Sequence, residues 1–506
     1  MSGPRVQDSA GSLFAVGDAP ITGSQTPVPP AADKDGTVFI SLATFRDGKR
    51  CADTIKSIFD NASEPDKVVI GLIEENAMDD DFCLDVYCKN AAGVKSIEKK
   101  QIRADMIKIM TAEGREKCPR IDQVRQVSVF NVAAKGPNDA RSLGRKVLGN
   151  EEYCMQIDSH TAFTKDWDKI AKLQWKMVQN EFAVLSTVPA AKAEQSEYES
   201  WTGSKSREVP RSCHVKFGEN GLPDFPSPAD AKAMDLEKPL LAHAWSAAFS
   251  FAKCHLEETT PYDPFIPYLM GAEQFARYAR LWTRGYDVYT PTRNIVYHDY
   301  IPNPDGHGMQ EWMRQRRKRI RDESMDRVMA ILEQKDDAAI QHNSGIYGLG
   351  KRRSLAQLEK YVGIDLARKT GNGADCGSKQ WVPYDTSISP IENMFSKPTD
   401  LDPQPEFPLR TETVFYHETE QPPGIPELEI PDGAVAPKQQ QLQEKSSSLR
   451  TGEVVAPPSS GPPTVLLFVL WVFGLIVWCM VFVNTNSGGS KKPRRRRKGG
   501  TSSKDM

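Results

Sequence analysis

Short β-branched apolar runs alternate with helical patterns from residue 37 to residue 187, and this alternation restricts the possible folds more than any other feature of the sequence. Residues 37–44 and 67–73 are rich in Val, Ile and Leu, as is typical of strands buried on both faces. Between them, Ala52, Ile55 and Phe59 recur at helical spacing. A strand, a helix and a strand in this order predict a βαβ unit with parallel strands.

The same alternation continues beyond this first unit. Further strands are predicted at 124–132, 152–157 and 182–187, and a helix is predicted at 140–148. Another helix should bury one apolar face made of Trp167, Ile170, Leu173 and Met177. We therefore predict the α/β class, with one domain over residues 37–365 whose mainly parallel, twisted sheet is flanked by helices.

The two flanking regions differ from the domain in composition. Residues 1–36 are rich in Gly, Ser, Pro and Ala, and within residues 366–463 the stretch 396–462 is rich in Pro, Gln, Glu and Ser. Such segments cannot bury enough apolar surface to fold alone, so we predict a disordered N-terminal segment and a mostly disordered tether. The formal net charge is only −2, and this balance gives no indication of a nucleic-acid partner.

Residues 464–483 carry no charge and are almost entirely apolar. A helix of about 20 such residues spans a bilayer, so we predict a single transmembrane helix, followed by a basic C-terminal tail at 484–506. The cluster Lys491–Lys498 favours a cytosolic tail and a domain in the lumen of the ER or Golgi. No secretory signal is visible, however, and insertion as a tail anchor with a cytosolic domain is the simpler route. We favour the tail anchor and keep both orientations open.

Nine cysteines are present, and eight of them lie outside the apolar run. An even number permits disulfide bonds in an oxidising compartment, while no CxxC spacing indicates a zinc site. The cysteines therefore leave the compartment undecided.

Asp158, Ser159 and His160 follow directly after the predicted strand at 152–157. In open α/β sheets ligands bind beyond the carboxyl ends of the strands, so these side chains stand where a site is expected. A carboxylate and an imidazole two residues apart can reach one ion, and this pair suits Mn²⁺ beside a diphosphate. The alternative is structural, with Asp158 capping the next helix.

Three further segments bear on the metal and anion hypothesis. Gly136–Arg141 opens a helix whose amides and Arg141 could meet an anionic ligand, although a plain Gly-Pro turn explains it equally well. Glu273 follows a glycine at another helix start, where it also complements the helix dipole. His298 ends a predicted strand pair over 287–300 and could complete the metal site or be structural.

The order and spacing of these segments resemble the family of UDP-GlcNAc-dependent polypeptide α-N-acetylglucosaminyltransferases, which modify threonine, serine or hydroxyproline. The similarity extends from about Phe39 to Ile364. It rests on the segments at 40–47, 136–141, 156–160, 281–287, 347–355 and 362–365.

The resemblance implies a GT-A fold and a UDP-sugar donor bound through Mn²⁺ or Mg²⁺. The implied metal ligands are Asp158, His160 and His298. The implied donor-binding residues are Arg46 and Asp47 at the uridine, with Arg141 and Asp158 at the nucleotide-sugar. The family is expected to retain the anomeric configuration, with the leaving phosphate taking the acceptor proton.

The implied catalytic positions are Glu273 and Gln274. Here the chain departs from the family, which tends to show Gly-Glu-Glu where this sequence has Gly271-Ala272-Glu273-Gln274. Loss of a carboxylate at Gln274 would alter acceptor choice or reduce activity.

Together these features predict a membrane-anchored, metal-dependent, retaining glycosyltransferase that moves GlcNAc from UDP-GlcNAc to a polypeptide hydroxyl. Its partners would be the donor, the polypeptide acceptor and the lipid bilayer, through residues 464–483. Two alternatives stay open. One is a catalytically impaired GT-A protein acting as a scaffold at a membrane, and the other is a metal-dependent hydrolase that uses the same Asp-His cluster.

Overall fold

The computed structural model describes most of the chain up to residue 389. The described residues are 3–16, 25–77, 79–92, 118–131, 133–200, 202–203, 205–303, 311–371, 376–389 and 414–415. Within these ranges no helix is both long enough and apolar enough to cross a bilayer. The predicted transmembrane helix at 464–483 and the basic tail at 484–506 lie outside the described residues.

Strands and helices are numbered here in chain order. The strands are β1 (Arg5–Asp8), β2 (Leu13–Ala15), β3 (Val38–Phe45), β4 (Val68–Asn76), β5 (Val124–Phe130), β6 (Tyr153–Asp158), β7 (Thr161–Phe163), β8 (Ala183–Ser186), β9 (Ala190–Ala191), β10 (Glu208–Arg211), β11 (Lys216–Phe217), β12 (Pro223–Asp224), β13 (Ala231–Met234), β14 (Leu240–Leu241), β15 (Phe249–Lys253), β16 (Asp287–Thr290), β17 (Val296–His298), β18 (Ile364–Asp365), β19 (Thr370–Gly371) and β20 (Val414–Phe415). The α-helices are α1 (Gly48–Asn61), α2 (Cys83–Ala92), α3 (Pro137–Gly144), α4 (Trp167–Met177), α5 (Gln195–Glu199), α6 (His255–Thr259), α7 (Ala272–Thr283), α8 (Glu311–Ile331), α9 (Ala338–Asn343) and α10 (Leu355–Val362).

The largest sheet has the strand order β14-β16-β8-β15-β6-β3-β4-β5-β20. Its strands β6, β3, β4, β5 and β20 are parallel, and β8 is parallel to β16. Strand β15 is inserted antiparallel between β6 and β8, and β14 is antiparallel to β16. The predicted α/β class with a mainly parallel sheet is therefore confirmed, whereas the sequence pattern does not reveal the antiparallel insertion.

Helices cover both faces of this sheet. Alternate residues of β3 point to opposite sides, so Val38 and Ile40 pack in one core with α1 and α4, while Phe39 packs in another with α3. Helices α7, α8 and α10 form a further core against β8, β15 and β16. The carboxyl ends of β3, β4 and β6 lie side by side along one edge of this sheet, where an α/β sheet binds its ligands.

The predicted apolar face of α4 is only partly correct. Leu173 is 59% exposed and Met177 is 41% exposed, whereas Trp167, Ala171 and Trp175 are buried. Two tryptophans bury more apolar area than a leucine and a methionine, and this difference sets the rotation of the helix. The indole of Trp175 also donates a hydrogen bond to the Ala183 carbonyl, 2.8 Å away.

The predicted disorder of residues 1–36 is wrong for much of that segment. Strands β1 and β2 join β13 and β10 in a four-stranded sheet. The following stretch is held by carboxylates, because Ala31 N donates to Glu181 and Gly36 N donates to Glu152. These partners lie far along the chain, so local composition does not indicate them.

The predicted domain boundary at residue 365 is too early. Residues 376–389 pack on the domain, and the Trp381 indole donates to Asp287 over 2.8 Å. Strand β20, within the predicted tether at 366–463, pairs with β5. The remainder of that tether lies mostly outside the described residues.

All eight cysteines outside the apolar run form disulfide bonds. The pairs are Cys51–Cys83, Cys88–Cys118, Cys154–Cys254 and Cys213–Cys376. The even count in the sequence therefore corresponds to a complete set of bridges.

Candidate functional site

Asp158 is the last residue of β6, at the carboxyl end of the parallel sheet. A turn through Ser159 and His160 leads directly into β7. Strand β7 pairs antiparallel with β17, and Thr161 lies opposite His298 in that ladder. The pairing therefore carries His298 to the turn that holds His160, although the two histidines are distant in sequence.

The predicted pairing of two strands within residues 287–300 is wrong. Strand β16 lies in the large sheet, whereas β17 lies in a separate sheet of order β7-β17-β9. Because β17 pairs with β7 and not with β16, His298 lies at the turn after β6 and not beside β16 and β14 in the large sheet.

Asp158, His160 and His298 converge closely enough to share one cation. Their potential ligand atoms all lie within 4.8 Å of one another. His298 Nε2 is 3.2 Å from Asp158 Oδ2, and the two imidazole rings are 4.5 Å apart between centroids. One carboxylate and two imidazoles form a ligand set that fits a transition metal such as Mn²⁺.

The protonation states of the cluster suit metal binding. Burial alone would raise the pKa of Asp158, but the hydrogen bond from His298 and the charge of Arg141 hold that pKa well below its usual value. Burial, together with the nearby His298, lowers the pKa of His160. A carboxylate and a neutral imidazole are the forms that bind metals.

Arg141 reaches this cluster from α3. Gly136 precedes that helix with a φ of 98°, a left-handed value that favours glycine, and Pro137 occupies its first position. The Arg141 guanidinium donates to Asp158 Oδ1 over 2.9 Å, and the negative charge of Asp158 raises the pKa of Arg141 against the effect of burial. The predicted anion-binding arginine therefore lies beside the predicted metal ligands.

Arg46 and Asp47, predicted at the uridine, have different surroundings. Arg46 forms a bidentate pair with Asp80, with both N–O distances at 2.7 Å. Asp47 accepts a hydrogen bond from Arg50, and its Oδ2 lies 3.9 Å from His160 Nδ1. Asp47 is thus close to the metal cluster, while the guanidinium of Arg46 is directed to Asp80.

Glu273 and Gln274, predicted as catalytic, also differ from each other. Glu273 is buried, its Oε2 has no hydrogen-bond partner among the described residues, and burial raises its pKa to about 7 despite the opposing charge of Arg141. Gln274 Oε1 accepts a hydrogen bond from Ala247 N over 3.0 Å. Gln274 therefore holds a loop, and the carboxylate near Arg141 is supplied by Glu273.

Glu75 is a buried acidic residue that is absent from the predicted site. It lies near the carboxyl end of β4, and its Oε1 has no hydrogen-bond partner among the described residues. Burial and the negative charge of Asp139 raise the pKa of Glu75 to about 8. The polar run Glu74-Glu75-Asn76 directly after an apolar strand is the signal that could have identified it.

Glu75→Gln should flatten the dependence of stability on pH between pH 5 and pH 8. A glutamate in the unfolded chain ionises near pH 4.5, whereas the raised pKa of folded Glu75 keeps its proton in place up to about pH 8. The unfolded state therefore binds fewer protons in this window, and the free energy of unfolding falls as the pH rises. We expect this single group to account for a loss on the order of a few kcal/mol in the wild type.

Urea unfolding at pH 5 and pH 8 measures this effect. The matched control is Glu219→Gln, because Glu219 is an exposed glutamate and should leave the wild-type dependence intact. An unchanged dependence in Glu75→Gln would show that Glu75 is already ionised in the folded protein.

The sequence and the fold were also compared with known proteins. A sequence model of the family described as Glycosyltransferase (GlcNAc) matches residues 37–368. The search of curated proteins returns no match. Solved structures that are similar include GalNAc-T7 with UDP, GalNAc and Mn²⁺, at 13% identity and a TM-score of 0.33, covering 64% of this chain and 54% of that chain.

Two further solved structures are similar at a comparable level. The mannosyltransferase PcManGT from Pyrobaculum calidifontis, in complex with GDP-Man and Mn²⁺, has 11% identity and a TM-score of 0.34, covering 68% of this chain and 75% of that chain. S. aureus TarS in complex with UDP-GlcNAc has 12% identity and a TM-score of 0.32, covering 62% of this chain and 70% of that chain. The match spans about half the length of the GalNAc-T7 chain.

Proposed function

The chain belongs to the GlcNAc glycosyltransferase family, and we propose that it transfers N-acetylglucosamine from UDP-GlcNAc to a hydroxyl group of a polypeptide, with retention of the anomeric configuration. That it is a glycosyltransferase follows from the family, while the donor, the acceptor and the stereochemistry are proposals. The observation that supports a metal-bound nucleotide-sugar donor is the convergence of Asp158, His160 and His298 at the carboxyl end of β6.

The cluster supports a metal-dependent GT-A site. Asp158, His160 and His298 would hold a divalent cation, which when bound supplies positive charge opposite the diphosphate of the donor. Two imidazoles favour Mn²⁺ over Mg²⁺, since Mg²⁺ prefers oxygen ligands. Arg141, anchored on Asp158, places a second positive charge at the same position.

The proposed reaction breaks the bond between the anomeric carbon and the diphosphate oxygen and forms a bond from that carbon to the acceptor oxygen. The acceptor proton passes to the leaving diphosphate on the same face, so no separate general base is needed. Arg141 stabilises the negative charge that develops on the leaving group. Glu273 offers an acceptor for a sugar hydroxyl through its unpartnered Oε2. Gln274 positions the loop at Ala247 and needs no chemical role.

Exposed apolar side chains near the site support a polypeptide acceptor. Phe45 precedes Arg46, Met270 lies just before α7, and Tyr300 and Ile301 follow His298, all four being large hydrophobic residues that are at least 40% exposed. A polypeptide acceptor would cover these side chains and remove their apolar area from water.

For the cellular location we propose that residues 464–483 anchor the protein in a membrane of the secretory pathway, with the catalytic domain in the lumen. Support comes from the four disulfide bonds, which form and persist in oxidising compartments. The basic cluster Lys491–Lys498 then lies on the cytosolic side, in agreement with the positive-inside tendency. This orientation differs from the tail anchor favoured above.

A panel of nucleotide-sugars with released nucleotide as the readout tests the proposed function. We expect UDP release to be highest with UDP-GlcNAc, to rise when a polypeptide acceptor is added, and to stop with EDTA. Mn²⁺ should restore it better than Mg²⁺. Activity that persists in EDTA would contradict the metal site, and product formation without any nucleotide-sugar would identify the hydrolase alternative instead.

A further inference from the structure

Several buried polar atoms near Arg141 have no hydrogen-bond partner among the described residues. They are the Tyr262 hydroxyl, Glu273 Oε2, and the Nε and Nη1 atoms of Arg277. Tyr262 is 5% exposed and Arg277 is 3% exposed, so bulk water does not reach them freely. Buried polar groups in folded proteins are nearly always paired, and several unpaired groups close together call for a ligand or ordered water.

These atoms belong to one cluster. The guanidinium carbon of Arg277 lies 3.6 Å from the centroid of the Tyr262 ring. Glu273 and Arg277 are four residues apart on α7 and therefore lie on the same side of that helix. Tyr262 and Glu273 both interact electrostatically with Arg141, which donates a hydrogen bond to Asp158. The cluster is thus linked to the proposed metal ligand Asp158 through Arg141.

Arg277 is held in place from three sides. Its Nη2 donates to Glu257 Oε1 in α6 over 2.7 Å, and its guanidinium also lies 5.3 Å from the centroid of the Trp245 ring. The planar group therefore covers one face of Tyr262 and fixes the ring. The hydroxyl of Tyr262 has no hydrogen-bond partner among the described residues, and Arg141 is one of the charged groups that act on it.

The chemistry of the cluster suits a neutral, hydroxyl-rich group. Burial raises the pKa of Tyr262 to about 12, so the hydroxyl stays protonated and can both donate and accept a hydrogen bond. Glu273 adds a carboxyl group with an unpaired oxygen, and the positive charge of Arg277 is already paired with Glu257. A sugar offers hydroxyl or acetamide groups that can pair with a carboxyl oxygen and with a phenol at the same time.

We infer that Tyr262, positioned by Arg277, binds a hydroxyl or acetamide group of the transferred sugar next to Glu273. The inference rests on the proposed function, because it places the sugar of the donor beside the diphosphate bound near Arg141. Tyr262 then contacts the substrate, and Arg277 is a positioning residue that acts through it.

Calorimetry measures how tightly the full chain binds UDP and UDP-GlcNAc, each with Mn²⁺. The difference between the two affinities gives the contribution of the sugar. Tyr262→Phe keeps the ring and removes only the hydroxyl, so the affinity for UDP should stay at the wild-type value. The affinity for UDP-GlcNAc should fall about tenfold, because the site loses a hydrogen bond to the ligand. The matched control is Tyr278→Phe, since the Tyr278 hydroxyl is also buried and unpartnered in the same core, but its charged neighbours include Asp287 and Arg353 rather than Arg141.

Arg277→Lys provides a second variant that keeps a positive charge for Glu257 but removes the planar group over Tyr262. We expect a smaller loss of UDP-GlcNAc affinity, again with UDP binding unchanged. If Tyr262→Phe binds UDP-GlcNAc as well as Tyr278→Phe does, the sugar contact is refuted while the transferase proposal stands. If wild-type protein binds neither UDP nor UDP-GlcNAc, both proposals are overturned.

Discussion

Asp158→Asn is expected to lower metal-dependent UDP release by roughly 10³-fold. The substitution keeps the shape of the side chain but removes its negative charge, and that charge serves two partners. Asp158 Oδ2 lies 3.2 Å from His298 Nε2, and Asp158 Oδ1 accepts a hydrogen bond from Arg141. Loss of the charge therefore weakens cation binding and releases Arg141, the arginine proposed to face the diphosphate. Direct titration with Mn²⁺ should show a parallel loss of binding.

A second variant separates catalysis from stability. Asp158→Asn leaves the buried guanidinium of Arg141 without its counter-charge, which should cost about 3 kcal/mol of folding free energy. Adding Arg141→Gln removes the unpaired charge and should restore part of that stability, measured by urea unfolding, without restoring UDP release. Recovery of activity in the double variant would mean that the first substitution acted only through folding.

Asp230→Asn is the matched control for this experiment. Asp230 also contacts a histidine, with its Oδ2 2.6 Å from His214 Nδ1, but it belongs to no three-residue cluster among the described residues. It should retain Mn²⁺ binding and UDP release. An equal loss of activity in Asp158→Asn and Asp230→Asn would remove the argument for a specific metal site.

The sequence predicts the parts of the site that depend on local structure. Asp158 and His160 directly follow an apolar strand, and the carboxyl end of a parallel strand is where an α/β sheet binds ligands. His298 is brought to them by the pairing of β7 with β17, which no local pattern specifies. The resemblance to a known family suggested this histidine, and the strand pairing explains its position.

Other residues show where local inference fails. Arg46 stands at the end of β3 as expected, yet its guanidinium pairs with Asp80, a residue that the strand pattern does not connect to it. Tyr262 gives no signal in the sequence, because its importance comes from an unpaired hydroxyl in a buried setting. Burial and missing partners are properties of the folded chain, so they can be read only from the structure.

The same reason explains the errors at the domain boundaries. Composition distinguishes the apolar central region from the polar flanks, but it cannot show that β1 pairs with β13. Nor can it show that Cys376 is bonded to Cys213, which lies 163 residues earlier in the chain. Such long-range contacts attach a short polar segment to the domain, although the segment itself shows no periodic pattern of apolar residues.

Replacing Cys213 and Cys376 by alanine is expected to lower the free energy of unfolding by about 5 kcal/mol. This bridge has the longest sequence separation of the four, at 163 residues, and longer loops lose more chain entropy when they are closed in the unfolded state. Both sulfurs are buried in a small core with Val6 and Ala233, which joins the N-terminal strands to the segment after residue 375. Urea unfolding of the purified protein under non-reducing conditions measures the change.

The single variants make the test specific to the bond. Cys213→Ala and Cys376→Ala should each destabilise almost as much as the double variant, because either change removes the same bridge. Additive effects would indicate ordinary packing losses instead.

The disulfide bonds also provide a test of the cellular location, because cytosolic glutathione keeps thiols reduced. In intact microsomes, we expect the eight cysteines of the catalytic domain to resist alkylation until a reductant is added. Rapid labelling without reductant would place the domain in the cytosol and overturn the proposed orientation.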